Sequence, residues 1–144
     1  MTLYLDTSSA IKLYVFEIGS DLVHALVRDA AVVATSAVTY AETRAALARL
    51  RREGALTVSK YGTAKREFEQ QWPSFLTLDA TNALSRIAGE FAERYRLRGF
   101  DSVHLATFAE VARRAGPRET RFSSFDDRLN RAAQRLGRRL QRQS

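Results

Sequence analysis

The stretch Leu3-Tyr4-Leu5-Asp6-Thr7-Ser8-Ser9 predicts a short buried strand that ends at an acid and passes directly into a helix. Three apolar residues in a row are typical of a buried strand, and Asp, Thr and Ser residues favour the start of a helix. The next apolar run, Ala31-Val32-Val33-Ala34, predicts a second strand, and a long Ala-rich helix is expected over residues 37–53. The chain therefore opens with alternating strands and helices.

The remaining sequence continues this alternation. We expect helices over residues 57–71, about 80–97, from Asp101 to about 115 and from Asp126 to about 136, with strands over 75–78 and 121–123. Residues after Gly137 are expected to add a weak edge strand or to fray. Strands that alternate with helices favour an α/β fold with a mostly parallel sheet, here of four to five strands.

Composition limits the kind of protein this can be. The 144 residues are 45% hydrophobic, which predicts a single globular domain over residues 1–144. The absence of cysteine excludes disulfides, zinc–thiolate sites and thiol catalysis, and it is compatible with a reducing compartment. No signal peptide is visible, and no apolar run approaches the roughly 20 residues of a membrane span, so we expect a cytoplasmic protein without membrane contact.

Charge points towards a polyanionic partner. The chain has 23 Lys and Arg residues against 16 Asp and Glu residues, a formal net charge of +7. A basic, Arg-rich surface attracts nucleic acid, although the same charge can serve solubility alone. No phosphate-binding loop and no dinucleotide glycine fingerprint is present, which argues against an enzyme that uses nucleotides or NAD.

Four acids lie at or near the junctions between strands and helices. Asp6 and Asp126 follow the first and fourth strands, Asp101 starts a helix, and Glu42 lies one turn into the helix after the second strand. Each Asp could simply cap a helix, and Glu42 could face solvent. However, capping favours Ser, Thr and Asn as much as Asp. In open α/β sheets ligands bind beyond the carboxyl ends of the strands, so the repeated acids predict one shared site.

A cluster of carboxylates predicts a bound cation. Such groups repel one another, and hard oxygen ligands suit Mg²⁺ or Mn²⁺. A cation held in this way can activate water and clamp a phosphodiester, while the basic surface draws in the nucleic-acid strand. The residues themselves therefore favour a metal-dependent nuclease.

Four segments of the sequence resemble the motifs of a known family, and they occur in the same order and with similar spacing. They are Leu3-Tyr4-Leu5-Asp6-Thr7-Ser8, Thr39-Tyr40-Ala41-Glu42, Gly99-Phe100-Asp101-Ser102-Val103-His104-Leu105-Ala106 and Phe122-Ser123-Ser124-Phe125-Asp126. In these segments the chain resembles the PIN-domain ribonucleases, specifically the VapC-type toxins of type II toxin–antitoxin systems. The resemblance implies a three-layer α/β/α sandwich, Mg²⁺- or Mn²⁺-dependent hydrolysis of RNA, a homodimer and inhibition by a cognate antitoxin.

The resemblance also assigns the site. It implies that Asp6, Glu42 and Asp101 are the core catalytic and metal-binding acids and that Asp126 is the fourth, with Ser124 two residues earlier as a polar support. Asp127 stays an alternative to Asp126, although the spacing from Ser124 favours Asp126.

Other residues have two interpretations each. Thr7 and Ser8 either hydrogen-bond Asp6 or a metal-bound water, or only start a helix. His104, one turn after Asp101, could approach the site or the substrate, although a core or interface histidine is favoured. Tyr61, Phe68 and Trp72 either pack between helices or form a groove for a partner. A stripe at helical spacing after Asp126 is the candidate for phosphate contact: Arg128, Arg131 and Arg135.

Two rival functions remain at this point. The first is a catalytically inactive PIN-like module that binds RNA or protein, and the full set of four acids argues against it. The second is a phosphoacceptor signalling domain, which requires adjacent acids after the first strand. Thr7 follows Asp6 instead, and Asp79 is the only weak phosphoacceptor.

Overall fold

The computed structural model describes residues 1–144 and is built on a four-stranded parallel sheet. The strands are β1 (Thr2–Leu5), β2 (Val32–Ser36), β3 (Leu76–Leu78) and β4 (Thr120–Ser123), in the order β3-β2-β1-β4. Every neighbouring pair is parallel. The predicted α/β fold with a parallel sheet is confirmed, with four strands.

Seven α-helices surround this sheet. They are α1 (Thr7–Ala10), α2 (Ser20–Asp29), α3 (Val38–Arg52), α4 (Val58–Gln71), α5 (Asn82–Tyr95), α6 (Gly99–Ala115) and α7 (Asp127–Gln143). Short 3₁₀ turns span Ile11–Leu13 and Trp72–Ser74. No helix combines the length and the apolar character that crossing a bilayer requires.

The alternation of side chains in β1 produces the three layers. Successive residues of a strand point to opposite faces of the sheet. Tyr4 therefore packs into the main core against α5, α6 and α7, while Leu3 and Leu5 pack on the other face against α1 and α2. Since all three are fully buried, β1 lies at the centre of the molecule, and Asp6, the residue after it, is also buried.

The C-terminal helix is longer than expected. The expected end near Leu136 and the expected weak edge strand are both wrong, because α7 continues through Gly137 to Gln143. Leu136 and Leu140 are both buried in the main core and lie four residues apart, on one face of the helix. This apolar face outweighs the cost of about 1 kcal/mol for a glycine in a helix interior.

The start of α6 also differs from the expectation. The helix begins at Gly99, two residues before Asp101, and its N-cap residue is Arg98. Asp101 therefore lies within the first turn and does not cap the helix. The capping explanation applies to Asp6 and Asp126 but fails for Asp101.

Candidate functional site

The Asp6 carboxylate lies in a cradle of hydroxyl groups at the carboxyl ends of β1 and β4. It caps α1 by accepting a hydrogen bond of 2.9 Å from the Ser9 amide. The Ser8 hydroxyl donates to both of its oxygens, at 2.7 and 2.9 Å, and the Ser124 hydroxyl donates at 2.6 Å. The hydroxyls of Ser8 and Ser124 therefore both contact the Asp6 carboxylate directly.

Burial has the largest effect on the pKa of Asp6. It raises the pKa of this carboxyl above its ordinary value, although the hydrogen bonds from Ser124, Ser8 and Ser9 partly offset the shift. The amide of Asp126 donates to the Ser124 hydroxyl at 3.0 Å, so the start of α7 is tied to the same cradle.

Glu42 ends a buried chain of hydrogen bonds. Its Oε1 accepts from the Thr7 hydroxyl at 2.6 Å and lies 2.9 Å from His104 Nε2. The other ring nitrogen of His104, Nδ1, lies 2.8 Å from the Tyr4 hydroxyl. The structure thus places Thr7 beside Glu42 and not beside Asp6, where it was expected as one possibility.

The protonation of this chain follows from burial. Burial and the charge of Asp6 raise the pKa of Tyr4 well above its ordinary value, so the phenol keeps its proton. When Tyr4 donates that proton to Nδ1 of His104, Nε2–H is left to donate to Glu42. Burial by itself would raise the pKa of Glu42, but the hydrogen bonds from His104 and Thr7 outweigh it and lower the pKa.

Asp101 and Asp126 face a polar cleft beside the cradle. The cleft has a volume of about 340 Å³ and is lined by three acids and three arginines: Asp101, Asp126, Asp127, Arg98, Arg128 and Arg131. Burial raises the pKa of Asp101, and the negative charges of Asp126, Asp6 and Glu42 raise it further. The charges of the other three predicted acids therefore act on the carboxyl group of Asp101.

A divalent cation fits this donor set, although the site is not preformed. No three His, Asp or Glu side chains form a group ready to hold a metal ion. The hydrogen bonds explain this, because Glu42 faces Thr7 and His104 while Asp126 caps α7 by accepting from the Leu129 amide at 2.8 Å. The repulsion felt by Asp101 is what a cation would relieve, and Mg²⁺ binds through few carboxylates and several waters.

The arginine stripe divides into two parts. Arg128 and Arg131 line the cleft with the acids, whereas Arg135 lies 5.5 Å over the ring of Tyr95. Arg98 completes the cleft and was not predicted. Its position three residues before Asp101 was the only feature of the sequence that could have indicated this role. A larger concavity, of about 450 Å³, lies along β3 and contains none of the four acids.

His104 combines its two interpretations. It is buried, as a core histidine would be, and it also contacts Glu42. Tyr4 was not singled out at all, since a tyrosine in an apolar strand gives no sign of its hydrogen-bond partner.

The Tyr4→Phe variant tests the buried chain. It removes the hydroxyl and leaves Nδ1 of His104 without its partner, so we expect the free energy of unfolding to fall by about 1–3 kcal/mol. Urea unfolding measures this loss. Tyr61→Phe, at a half-buried tyrosine on α4, is the matched control and should change stability by less than about 0.5 kcal/mol. Equal losses in the two variants would contradict the chain.

The pH dependence of stability tests the repulsion at Asp101. A raised native pKa favours folding below the pKa of the unfolded chain, about 4, and this contribution is lost as pH rises through the native pKa. In a chelating buffer, Asp101→Asn should therefore be more stable than the unchanged chain near neutral pH. The difference should shrink towards pH of about 4. A difference that stays constant in urea unfolding over this range would contradict the assignment.

Comparisons with known proteins agree with this architecture. The sequence model of the PIN domain family matches residues 3–135. Ribonuclease VapC45 and Ribonuclease VapC49 of Mycobacterium tuberculosis are each 37% identical over 108 residues, which is 75% of this chain and 75% of each relative.

Two solved structures share the fold at 20% identity. One is VapC20 of M. tuberculosis, described as a toxin that cleaves the sarcin–ricin loop (TM-score 0.63, covering 90% of this chain and 94% of that one). The other is PAE2754 of Pyrobaculum aerophilum (TM-score 0.64, covering 97% and 89%).

Proposed function

Because this chain belongs to the PIN domain family, we propose that it is a Mg²⁺- or Mn²⁺-dependent endoribonuclease, the toxin of a toxin–antitoxin pair. The observation that carries the proposal is the meeting of acids from separate parts of the chain at one edge of the sheet. Asp101 and Asp126 line one cleft, and the Ser124 hydroxyl links the Asp126 amide to the Asp6 carboxylate. The identity to two VapC ribonucleases supports RNA as the substrate.

The four acids would hold the cation, partly through water. When bound, the cation would supply a lowered water pKa and a positive charge against the phosphate oxygens. Ser8 and Ser124 keep the Asp6 carboxylate in place, and His104 and Thr7 do the same for Glu42.

The arginines of the cleft, Arg98, Arg128 and Arg131, would bind the RNA backbone. In the proposed reaction, water adds to phosphorus and the 3′ oxygen leaves with a proton. The products are a 5′ phosphate and a 3′ hydroxyl.

A cleavage assay with metal removal tests the proposal. The purified chain should cut a mixed RNA in Mg²⁺ or Mn²⁺ and should stop when EDTA is added. Mass spectrometry of the fragments should find 5′ phosphate and 3′ hydroxyl ends. Cleavage that continues in EDTA, or fragments with 2′,3′-cyclic phosphate, would contradict it. RNA binding without cleavage in either metal would favour the inactive PIN-like module.

The proposal includes a cognate antitoxin and a homodimer. The similarity to the VapC relatives supports the antitoxin. The turn before α2 offers a surface for a protein contact, since Phe16 is 84% exposed and Ile18 is 95% exposed. Size-exclusion chromatography of the chain alone and with the product of the neighbouring gene tests this part.

A further inference from the structure

Helix α7 carries a dense positive charge on one face. Residues 128–144 contain six arginines and no acid, and all six arginines are exposed. An α-helix turns by about 100° per residue, which places the six arginines within about 100° of its circumference, away from the buried Leu136 and Leu140. We call these six residues the arginine face: Arg128, Arg131, Arg135, Arg138, Arg139 and Arg142.

No acid neutralises this face. None of its arginines forms an ion pair, whereas Arg44 on α3 pairs with Glu69. Like charges three or four residues apart on a helix repel one another and destabilise it. The helix dipole favours cations in the last turn, which explains Arg142 but not the whole face. A surface that served solubility alone would mix both signs of charge, so the arginine face suggests a polyanionic ligand.

The arginine face leads away from the acid site. Asp127 is the first residue of α7 and lines the cleft that contains Asp101. At about 1.5 Å per residue, Arg138 and Arg142 lie about 16 and 22 Å further along the helix axis. We call Arg138, Arg139 and Arg142 the distal arginines. They do not line the cleft, so a ligand that they bind lies outside the acid site.

A groove beside the distal arginines contains no acid. It has a volume of about 350 Å³ and lies between α7 and the edge strand β4, with Arg138 from the helix and Arg121 from the strand. Gln134 and Gln141 also line it. Guanidinium and amide groups both donate hydrogen bonds to phosphate oxygens. The groove therefore differs from the acid cleft, in which three acids compensate three arginines.

The shape of this charge favours a nucleic-acid strand over an acidic protein segment. The uncompensated charge runs for about 20 Å along a straight helix, and a nucleic-acid strand carries a phosphate at every nucleotide. The near end of the face, Arg128 and Arg131, lies in the cleft where a phosphodiester is proposed to be cut. One RNA chain can therefore occupy the cleft and continue along α7.

We infer that the distal arginines, with Arg121, bind phosphates of the substrate RNA outside the cleaved segment, so that the RNA extends about 20 Å from the acid site along α7. This inference rests on the proposed ribonuclease function. Phosphate contacts position a strand without reading its bases, so this surface should add affinity without selecting the cleaved sequence. An acidic segment of a protein partner is the competing outcome of the test below.

The salt dependence of binding counts the phosphate contacts. The probe is a fluorescein-labelled RNA of about 20 nucleotides, long enough to cover the cleft and the arginine face, and a poly-glutamate peptide of equal charge is the comparison. Fluorescence anisotropy in EDTA measures binding without cleavage. A chain with Arg138→Gln, Arg139→Gln and Arg142→Gln should bind RNA about 10- to 100-fold more weakly at about 0.1 M salt. Its slope of log affinity against log salt should be smaller by about 2.

Matched variants separate phosphate binding from total charge and from folding. The charge-matched control changes three exposed cations of α3 and α4 to Gln and should leave the salt slope unchanged: Arg52, Lys60 and Arg66. Lysine at the three distal positions keeps the charge and should retain most of the binding. In Mn²⁺, the distal Gln variant should raise the KM for the long RNA and keep kcat within about twofold, the pattern of a lost binding contact.

The outcomes distinguish this inference from the ribonuclease proposal. If the distal Gln variant keeps the salt slope and the KM of the unchanged chain, or if the control variant loses as much, the inference is overturned and the ribonuclease stands. Poly-glutamate that binds as tightly as RNA, and loses as much in the distal Gln variant, would assign the face to an acidic protein instead. If the unchanged chain cuts no RNA in either metal but the salt slope still depends on the distal arginines, the ribonuclease proposal fails while the RNA-binding surface is supported.

Discussion

Asp101→Asn is expected to lower metal-dependent RNA cleavage by at least about 100-fold, since losing one group that stabilises transition-state charge costs about 10²–10³ in rate. Asn keeps the shape of the side chain but carries no charge to attract a cation. The helix start should survive the change, because α6 begins at Gly99 and Asp101 caps nothing. Initial rates in saturating Mn²⁺, with circular dichroism to verify folding, measure the effect.

Asp127→Asn is the matched control for this variant. Asp127 is exposed and lines the same cleft, and its substitution by Asn removes the same negative charge. It should keep cleavage within about threefold of the unchanged chain, as expected of a surface charge that acts at a distance. Comparable losses for Asp101→Asn and Asp127→Asn would show that only the total charge of the cleft matters.

The same control tests whether Asp126 or Asp127 is the fourth acid of the proposed site. Asn caps helices as well as Asp does, so Asp126→Asn preserves the cap of α7 while removing the charge. We expect Asp126→Asn to lose cleavage and Asp127→Asn to keep it. The reverse result would identify Asp127, and not Asp126, as the fourth acid of the proposed site.

Phe68→Ala is expected to lower the free energy of unfolding by about 3–5 kcal/mol, the usual cost of removing a buried phenylalanine ring. Phe68 is fully buried, and its ring centre lies 5.2 Å from that of Tyr14 and 5.5 Å from those of Tyr40 and Trp72. The melting temperature should fall by roughly 6–20 °C, since each kcal/mol is worth about 2–4 °C in a protein slightly larger than this one.

Phe16→Ala is the control for the stability loss, because it removes the same ring from an exposed position. It should change the free energy of unfolding by less than about 0.5 kcal/mol. Should Phe68→Ala lose less than about 1 kcal/mol, the aromatic cluster between α3 and α4 would not stabilise the fold as its burial indicates.

Residue patterns in the sequence predicted where the strands end but not which side chains from different strands contact one another there. The apolar run Leu3-Tyr4-Leu5 and the acid after it were enough to place Asp6 at an edge of the sheet, because strand periodicity and capping are local properties. The partners of Asp6 are not local. Ser124 lies 118 residues later in the chain and reaches the carboxylate only because β4 pairs with β1.

His104 and the last helix show two further limits of sequence reasoning. His104 alternates among apolar residues on α6, and its pairing with Tyr4 and Glu42 depends on how α6 crosses β1 and α3. Gly137 predicted the end of α7, but burial of Leu140 against the core extends the helix. Local propensity failed there because a tertiary contact outweighed it. For Phe68, packing and a partner groove stayed equally possible until its burial was known.

The strand order β3-β2-β1-β4 has a consequence for synthesis on the ribosome. The central strand β1 leaves the ribosome long before β4, although the two strands pair directly in the sheet. Until residues 120–126 have emerged, the Asp6 carboxylate lacks the Ser124 hydroxyl and α7 has not started. The cradle around the Asp6 carboxylate is therefore complete only after β4 and the first residues of α7 have been synthesised, and a shorter nascent chain lacks it.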